Sequence, residues 1–354
     1  MIEKGPRPLH IPSIRFIVLY FGTLPDYFDL WMESCRLNNQ IDWLVITDDA
    51  REFETPPNVV IKKCSFDDCV KKIKSAIDIV PSKFQPYKLC DFRPAFGEIF
   101  KEELQGYDFW GHCDLDLICG NIANFLPEDI FKQYSMILFC GHFKLYRNTK
   151  EVNNYFRRQL KGLDYNKIYA GCRFQRREGD ILDYRNIFAS SHGNSFDEWG
   201  GINIIYKECG LPMHDNWAVV ADIDPWRERF NMVINANTRH QLFAWVNGRI
   251  MCYQLLGGEI KSTEYMYMHF QKRTMPRGAF KRGSNFYITP TGFIEMKSSL
   301  PSVKDIKSLS RPPLKKWHHT REVRLWVALY KDRLQLLKSK CRQSLKRLTK
   351  KICS

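Results

Sequence analysis

Asp114 and Asp116 are the residues whose type and spacing point most directly to chemistry. They close the segment Tyr107-Asp108-Phe109-Trp110-Gly111-His112-Cys113-Asp114-Leu115-Asp116, which reads as an apolar strand running into two acids. In extended backbone, residues two apart project to the same side. Two carboxylates leaving one strand end together can hold a hard divalent cation, Mg²⁺ or Mn²⁺, with water and substrate phosphate completing its shell. A lone Asp-x-Asp is also an ordinary solvated turn. The strand before this one, with Gly111 and Gly120 flanking it, favours the metal reading.

Such a pair needs a sheet to carry it, and the first half of the chain supplies the pattern. Ile14 to Phe21 is an apolar run typical of a buried parallel strand. Gly22-Thr23-Leu24-Pro25 breaks it, and Asp26 is placed to cap a helix reaching about Leu37. Asp42 to Thr47 and Val59 to Lys62 read as strands. Phe66 to Val80 reads as a helix stopped by Pro81, and Lys88 to Leu104 as a helix kinked at Pro94. This order predicts an α/β fold with an open, mostly parallel sheet flanked by helices and a nucleotide-type crevice at the strand C-termini. There Gly22 lets the backbone approach a nucleotide, Tyr20 and Phe21 face its base, and Asp48 meets base or ribose. Asp48 and Asp49 read equally well as an acidic turn. No GxGxxG is present, which leaves a Rossmann dehydrogenase unsupported.

The second half is mixed α+β. Met136 to Cys140 and His142 to Tyr146 read as short strands. Gln241 to Val246, Asn247-Gly248 and Arg249 to Leu256 form a strong hairpin signal, because a type I′ turn needs positive φ at both central positions. Tyr265 to Phe270 and Phe286 to Met296 add strands. The twelve cysteines include no CxxC pair, so zinc knuckles are disfavoured and free buried thiols in a reducing cytosol are expected. Met1 to Ser13 holds no apolar run of signal-peptide length, and no segment holds the roughly 18 apolar residues of a membrane span. A soluble or peripheral protein is expected.

Several blocks together resemble a known group. Asp-x-Asp after such a strand, in a chain opening with a nucleotide-type βαβ, resembles the GT-A glycosyltransferases. More narrowly, the chain resembles a poorly characterised bacterial family found among polysaccharide-biosynthesis proteins. The blocks that carry this likeness are Tyr87-Lys88-Leu89-Cys90-Asp91-Phe92-Arg93-Pro94-Ala95-Phe96-Gly97, the acid-pair segment, Phe143-Lys144-Leu145-Tyr146-Arg147-Asn148 and Met268-His269-Phe270-Gln271-Lys272-Arg273. It spans roughly Arg15 to Arg273.

The resemblance implies a transferase using a nucleotide-sugar donor such as a UDP- or GDP-sugar. It implies that Asp114 and Asp116 hold Mn²⁺ or Mg²⁺ against the donor diphosphate, with His269 completing the metal shell. Lys272 is the implied diphosphate contact, although in better-known retaining relatives that Lys lies further beyond the His. Lys88, Asp91 and Arg93 are implied donor contacts, in a segment one residue shorter than the Asp-x-x-Arg of retaining relatives. Asp197 or Glu198 is placed like the acid that deprotonates the acceptor in inverting relatives, a base worth roughly 10²–10⁴-fold. Against these stand plainer readings: His269 as a core histidine, and Asp197 as a helix N-cap with Glu198 in the first turn.

Charge divides the chain. Residues 301–354 hold 16 Lys and Arg against 3 Asp and Glu, while the first 300 hold 38 against 36. The near-neutral body (1–300) therefore gives no electrostatic footprint for nucleic acid. In the tail (301–354), Val323, Trp326, Tyr330, Leu334, Leu337, Cys341, Leu345, Leu348 and Ile352 recur at intervals of three or four, with basic residues between them. This predicts a C-terminal basic amphipathic helix. Such a helix lies on an anionic membrane surface, or docks its stripe on the body or on a second subunit.

The leading expectation is a metal-dependent enzyme on the cytoplasmic face of the inner membrane, extending a glycan or lipid-linked acceptor in bacterial surface polysaccharide or lipopolysaccharide synthesis. Its rivals are a catalytically inactive sugar-nucleotide binder, a nucleic-acid-binding protein using the tail, and a phosphohydrolase or nucleotidyltransferase, which calls for more carboxylates than the sequence places near the metal. Removing residues 301–354 is expected to release the protein from anionic vesicles in a flotation assay, and unchanged binding would refute the membrane role.

Overall fold

The computed structural model describes residues 12–77, 84, 86–160, 201–214, 219–222, 241–270 and 275–310. Its main sheet is built from the apolar runs of the first half. β1 (Ile14–Tyr20), β2 (Ile41–Thr47) and β3 (Val59–Lys63) are parallel, and β1 also pairs in parallel with β4 (Phe109–Cys113). After β5 (Leu117–Cys119), the hairpin β6 (Met136–Cys140) and β7 (Phe143–Arg147) joins antiparallel to β4. The short β8 (Met213–His214) completes a seven-stranded order, β3-β2-β1-β4-β7-β6-β8. The expected mixed α/β architecture with a large, mostly parallel sheet is what the chain forms.

Burial on both faces explains the apolar runs Phe16–Leu19 of β1 and Trp43–Ile46 of β2. Ile14, Phe16 and Val18 enter one core with Trp43 and Val45; Ile17 enters the other with Leu44 and Ile46. Helix α1 (Phe28–Arg36) covers the first face through Phe28, Trp31 and Cys35. Helix α2 (Phe66–Ala76) covers the second through Cys69 and Ile73.

A smaller three-stranded sheet, β5-β13-β9, joins the two halves of the sequence; β9 is Val220–Asp222 and β13 is Tyr267–His269. A five-stranded antiparallel sheet comprises β10 (Gln241–Val246), β11 (Arg249–Leu256), β12 (Glu259–Tyr265), β14 (Phe286–Thr289) and β15 (Gly292–Glu295). The predicted hairpin is present, with φ of 49° at Asn247 and 81° at Gly248. The other face of that sheet is covered by the helix Val303–Leu309, through buried Ile306. A capping box between Ser302 and Asp305 starts this helix.

Several sequence expectations need correction. Asp26 caps nothing: Tyr27 is the N-cap of α1 and makes no side-chain cap bond. The helix expected over Lys88 to Leu104 is a chain of short turns, Pro86–Lys88, Leu89–Phe92, Arg93–Ala95 and Phe96–Ile99. Pro94 is the physical reason, since it lacks an N–H and disfavours helix at the residue before it. Tyr265 to Phe270 is not one strand, because the chain changes sheets at Met266. Residues 1–311 form one compact unit, so the first part of the segment read as tail folds into the body. The amphipathic stripe from Val323 onward lies outside the described residues.

β4 leaves no room at its midpoint. A Cβ on Gly111 would sit 2.7 Å from the Lys144 carbonyl oxygen and 2.9 Å from the Phe16 ring. Gly111→Ala is expected to destabilise the protein by about 1–3 kcal/mol through overpacking, measured as a lower urea midpoint at unchanged m-value.

Candidate functional site

β1 and β4 are parallel neighbours, so their C-terminal ends lie side by side. There, Tyr20 at the end of β1, Phe21 just past it, Cys113 at the end of β4, and Asp114 and Asp116 beyond it line one cavity of about 890 Å³. Thr23 to Tyr27, the helical turns at Pro86, Leu89, Cys90 and Arg93, and Met275 with Pro276 complete its wall. The position matches the general rule for open α/β sheets, whose ligands bind beyond the carboxyl ends of the strands.

Asp114 and Asp116 do not lie on an extended strand. They occupy the bend between β4, in the main sheet, and β5, in the small sheet, with Leu115 buried between them. The bend still brings both acids onto the cavity wall. β13 then pairs antiparallel with β5, putting His269 opposite Leu117 and hence beside Asp116. His269 Nε2 is 3.3 Å from Asp116 Oδ1. The Phe270 N–H donates to the Asp116 carbonyl at 2.9 Å, locking that register. One ligand atom from each of Asp114, Asp116 and His269 lies within 4.8 Å of the others. Two carboxylate oxygens and an imidazole nitrogen at such spacing suit a cation that accepts both donor types, Mn²⁺ above all.

Arg93 approaches the same cluster. One guanidinium nitrogen is in close contact with Asp114 Oδ1, and the other donates to the Gly141 carbonyl at 2.6 Å. Both side chains of this pair are largely buried. The acids also shape the tyrosines nearby. Burial, and then the negative charge of Asp116, raise the phenol pKa values of Tyr20 and Tyr27. Both stay protonated donors at neutral pH.

The remaining predicted residues are placed as follows. Gly22 has φ of +108°, and its N–H donates to Asp48 Oδ1 at 2.6 Å. Gly22 and Asp48 thus brace each other just beyond β1 and β2. Asp49 accepts from Leu24 N–H at 2.7 Å and is held well below the usual carboxylate range by hydrogen bonds from Arg51, which makes it a fastener of the 22–27 loop. Lys88 and Asp91 form a buried ion pair of 2.7 Å within one turn. Their neighbours Leu89 and Cys90 face the cavity, so the pair fixes that wall. Asp197, Glu198 and Lys272 lie outside the described residues.

Sequence reasoning did not place Tyr27, nor Met275 and Pro276, at the cavity. No local pattern marks them; they arrive through loops whose course depends on the whole fold. Cys35, Cys113 and Cys119 are free and buried, and burial raises their thiol pKa values, which makes them inert core residues.

A family model described as "Family of unknown function (DUF6625)" matches residues 16–297, and the chain belongs to that family. No curated protein matches the chain.

A divalent cation at this cluster would compete with Arg93 for the charge of Asp114. Arg93→Met is therefore expected to tighten binding of Mn²⁺ alone by roughly tenfold, about 1.4 kcal/mol of relieved repulsion. Titration followed by electron paramagnetic resonance measures it. Weaker binding would show that the guanidinium organises the acids instead of opposing the ion.

Proposed function

We propose that this member of a family of unknown function is a metal-dependent glycosyltransferase of GT-A type, using a nucleotide-sugar donor. The observation that carries the reading is the convergence of Asp114, Asp116 and His269, with the two acids lining a roomy cavity at the C-terminal edge of parallel strands and buried His269 beside Asp116. A nucleoside diphosphate leaving group develops negative charge as the glycosidic bond to the donor breaks. A bound Mn²⁺ or Mg²⁺ supplies Lewis-acid stabilisation of that charge.

The chain's own groups divide the rest of the work. Asp114, Asp116 and His269 are the ligand set. Arg93, which contacts Asp114 and the Gly141 carbonyl from the cavity wall, would add positive charge and bidentate donors for a bound diphosphate. Tyr20, Phe21 and Tyr27 give the cavity aromatic walls suited to a base, and the tyrosines add neutral donors. Lys272 is the second candidate phosphate contact, and Asp197 or Glu198 the candidate acceptor base.

The cluster among the described residues contains two carboxylates. A two-metal phosphohydrolase calls for more, which favours glycosyl over phosphoryl transfer. For acceptor we propose a glycan or lipid-linked glycan of bacterial surface polysaccharide. The basic segment beyond 311 would hold the enzyme at the cytoplasmic face of an anionic membrane. No helix among the described residues is long and apolar enough to cross one.

A thermal-shift screen of UDP-, GDP- and CMP-sugars, each with and without Mn²⁺, tests the proposal. One nucleotide class should stabilise the protein in a Mn²⁺-dependent manner, by about 2.7 kcal/mol at 100 times its Kd. The shift should vanish in Asp116→Ala, and donor hydrolysis with it. A shift without hydrolysis or transfer would identify a binder instead of an enzyme. A shift that persists in Asp116→Ala would move the metal elsewhere.

A further inference from the structure

We propose that His142 is a positioning residue that sets the geometry of the cation site from the turn between β6 and β7, an inference that rests on the metal-site reading above. His142 is buried, and its ring lies parallel to that of His269, with centroids 3.9 Å apart and planes 15° apart. Its Nε2 is 2.9 Å from the hydroxyl of Tyr267. Tyr267 is fully buried and stacked on Phe143 at 4.9 Å. Tyr267 and His269 are two residues apart on β13, so their rings share a face. His142 spans that face, stacking on one ring and hydrogen-bonded to the other.

The same turn reaches the other members of the site through its backbone. The His142 carbonyl accepts the Asp114 N–H at 2.9 Å. The Gly141 carbonyl accepts from Arg93 at 2.6 Å. Two consecutive residues therefore touch the main chain of Asp114, the imidazole of His269 and the guanidinium that faces the acids. Rotation of an imidazole about its terminal torsion is soft, and a parallel ring at van der Waals distance restricts it. His142 thus holds the Nε2 of His269 toward Asp116. Outer-shell groups that orient a metal ligand, most often by hydrogen bonds, typically contribute 10–100-fold to metal affinity, and the stack is given that range here.

The test is Mn²⁺ binding by the full-length protein, measured without donor or acceptor. His142→Ala should weaken Mn²⁺ binding by roughly 10–100-fold and weaken the nitrogen hyperfine coupling of the bound ion. His142→Phe keeps a flat ring against His269 and should recover most of the affinity and the coupling. Melting of the metal-free variants reports on the fold; if His142→Ala does not fold, His142→Phe decides, its retained affinity supporting the proposal and its loss refuting it. Wild-type affinity in a folded His142→Ala, or equal loss in folded Ala and Phe variants, would overturn the proposal. Failure of the unaltered protein to bind Mn²⁺ would instead bring down the metal site itself, and the role of His142 with it.

Discussion

Two carboxylates on the wall of a cavity, with a buried imidazole held within 4.8 Å of them, are an electrostatic problem that the rest of the molecule answers. Like charges at that distance repel strongly where water is scarce. The fold holds the main chain of both acids in place, Asp114 N–H donating to the His142 carbonyl and Phe270 N–H to the Asp116 carbonyl. It offsets part of the repulsion by pointing Arg93 at Asp114. The site is therefore preorganised for positive charge, with a guanidinium standing where an incoming cation would compete.

That preorganisation depends on contacts between distant parts of the sequence. β5 follows the acid pair directly, and β13, far along the sequence, pairs with it residue for residue from Tyr267 opposite Cys119 to His269 opposite Leu117. The junction is tightly built. A Cβ on Gly120 would lie 2.8 Å from the Tyr265 carbonyl oxygen and 2.9 Å from Ile250 N. Asn38 donates to the Gly120 carbonyl at 2.8 Å and accepts from Ile122 N–H at 3.0 Å, fastening α1 to the end of β5. Trp245 donates to the Cys119 carbonyl at 3.1 Å, fastening β10 to the same strand. Each of these bonds satisfies a buried polar group that would otherwise destabilise the core.

The parts of this design that the sequence reveals are those fixed by local periodicity. β1 and β2 are visible because most of both faces is buried, so past Arg15 and Asp42 near their starts they read as apolar runs. The Asn247-Gly248 turn is visible because few residue types tolerate its backbone angles. The acid pair is visible by spacing, although the spacing works through a bend instead of through strand alternation. Illegible features depend on tertiary geometry. Pro94 announces a disturbance, but not that the segment becomes four short helical turns carrying Arg93 to the acids. His142 has the look of any strand-edge histidine; its role appears only when β13 brings Tyr267 and His269 onto the same face. The switch of sheets at Met266 is hidden because Tyr265 to Phe270 is uniformly apolar apart from the histidine.

Because the ligand set is assembled from segments so far apart in the chain, it exists only in the folded state. A group that binds the native protein and not the unfolded chain stabilises the fold by mass action. On the proposed metal-site reading, cation binding and the integrity of the β5–β13 junction would be two faces of one equilibrium, so that loosening the junction would lower metal affinity even with no ligand touched. The same coupling reaches the cavity wall, since Asp114 is linked to Arg93, and Arg93 sits in the turn sequence that also carries Leu89 and Cys90. On the proposed reading, a cation at Asp114 would compete with the guanidinium that ties this wall to the acids, and so would change the charge of the surface that a second ligand meets.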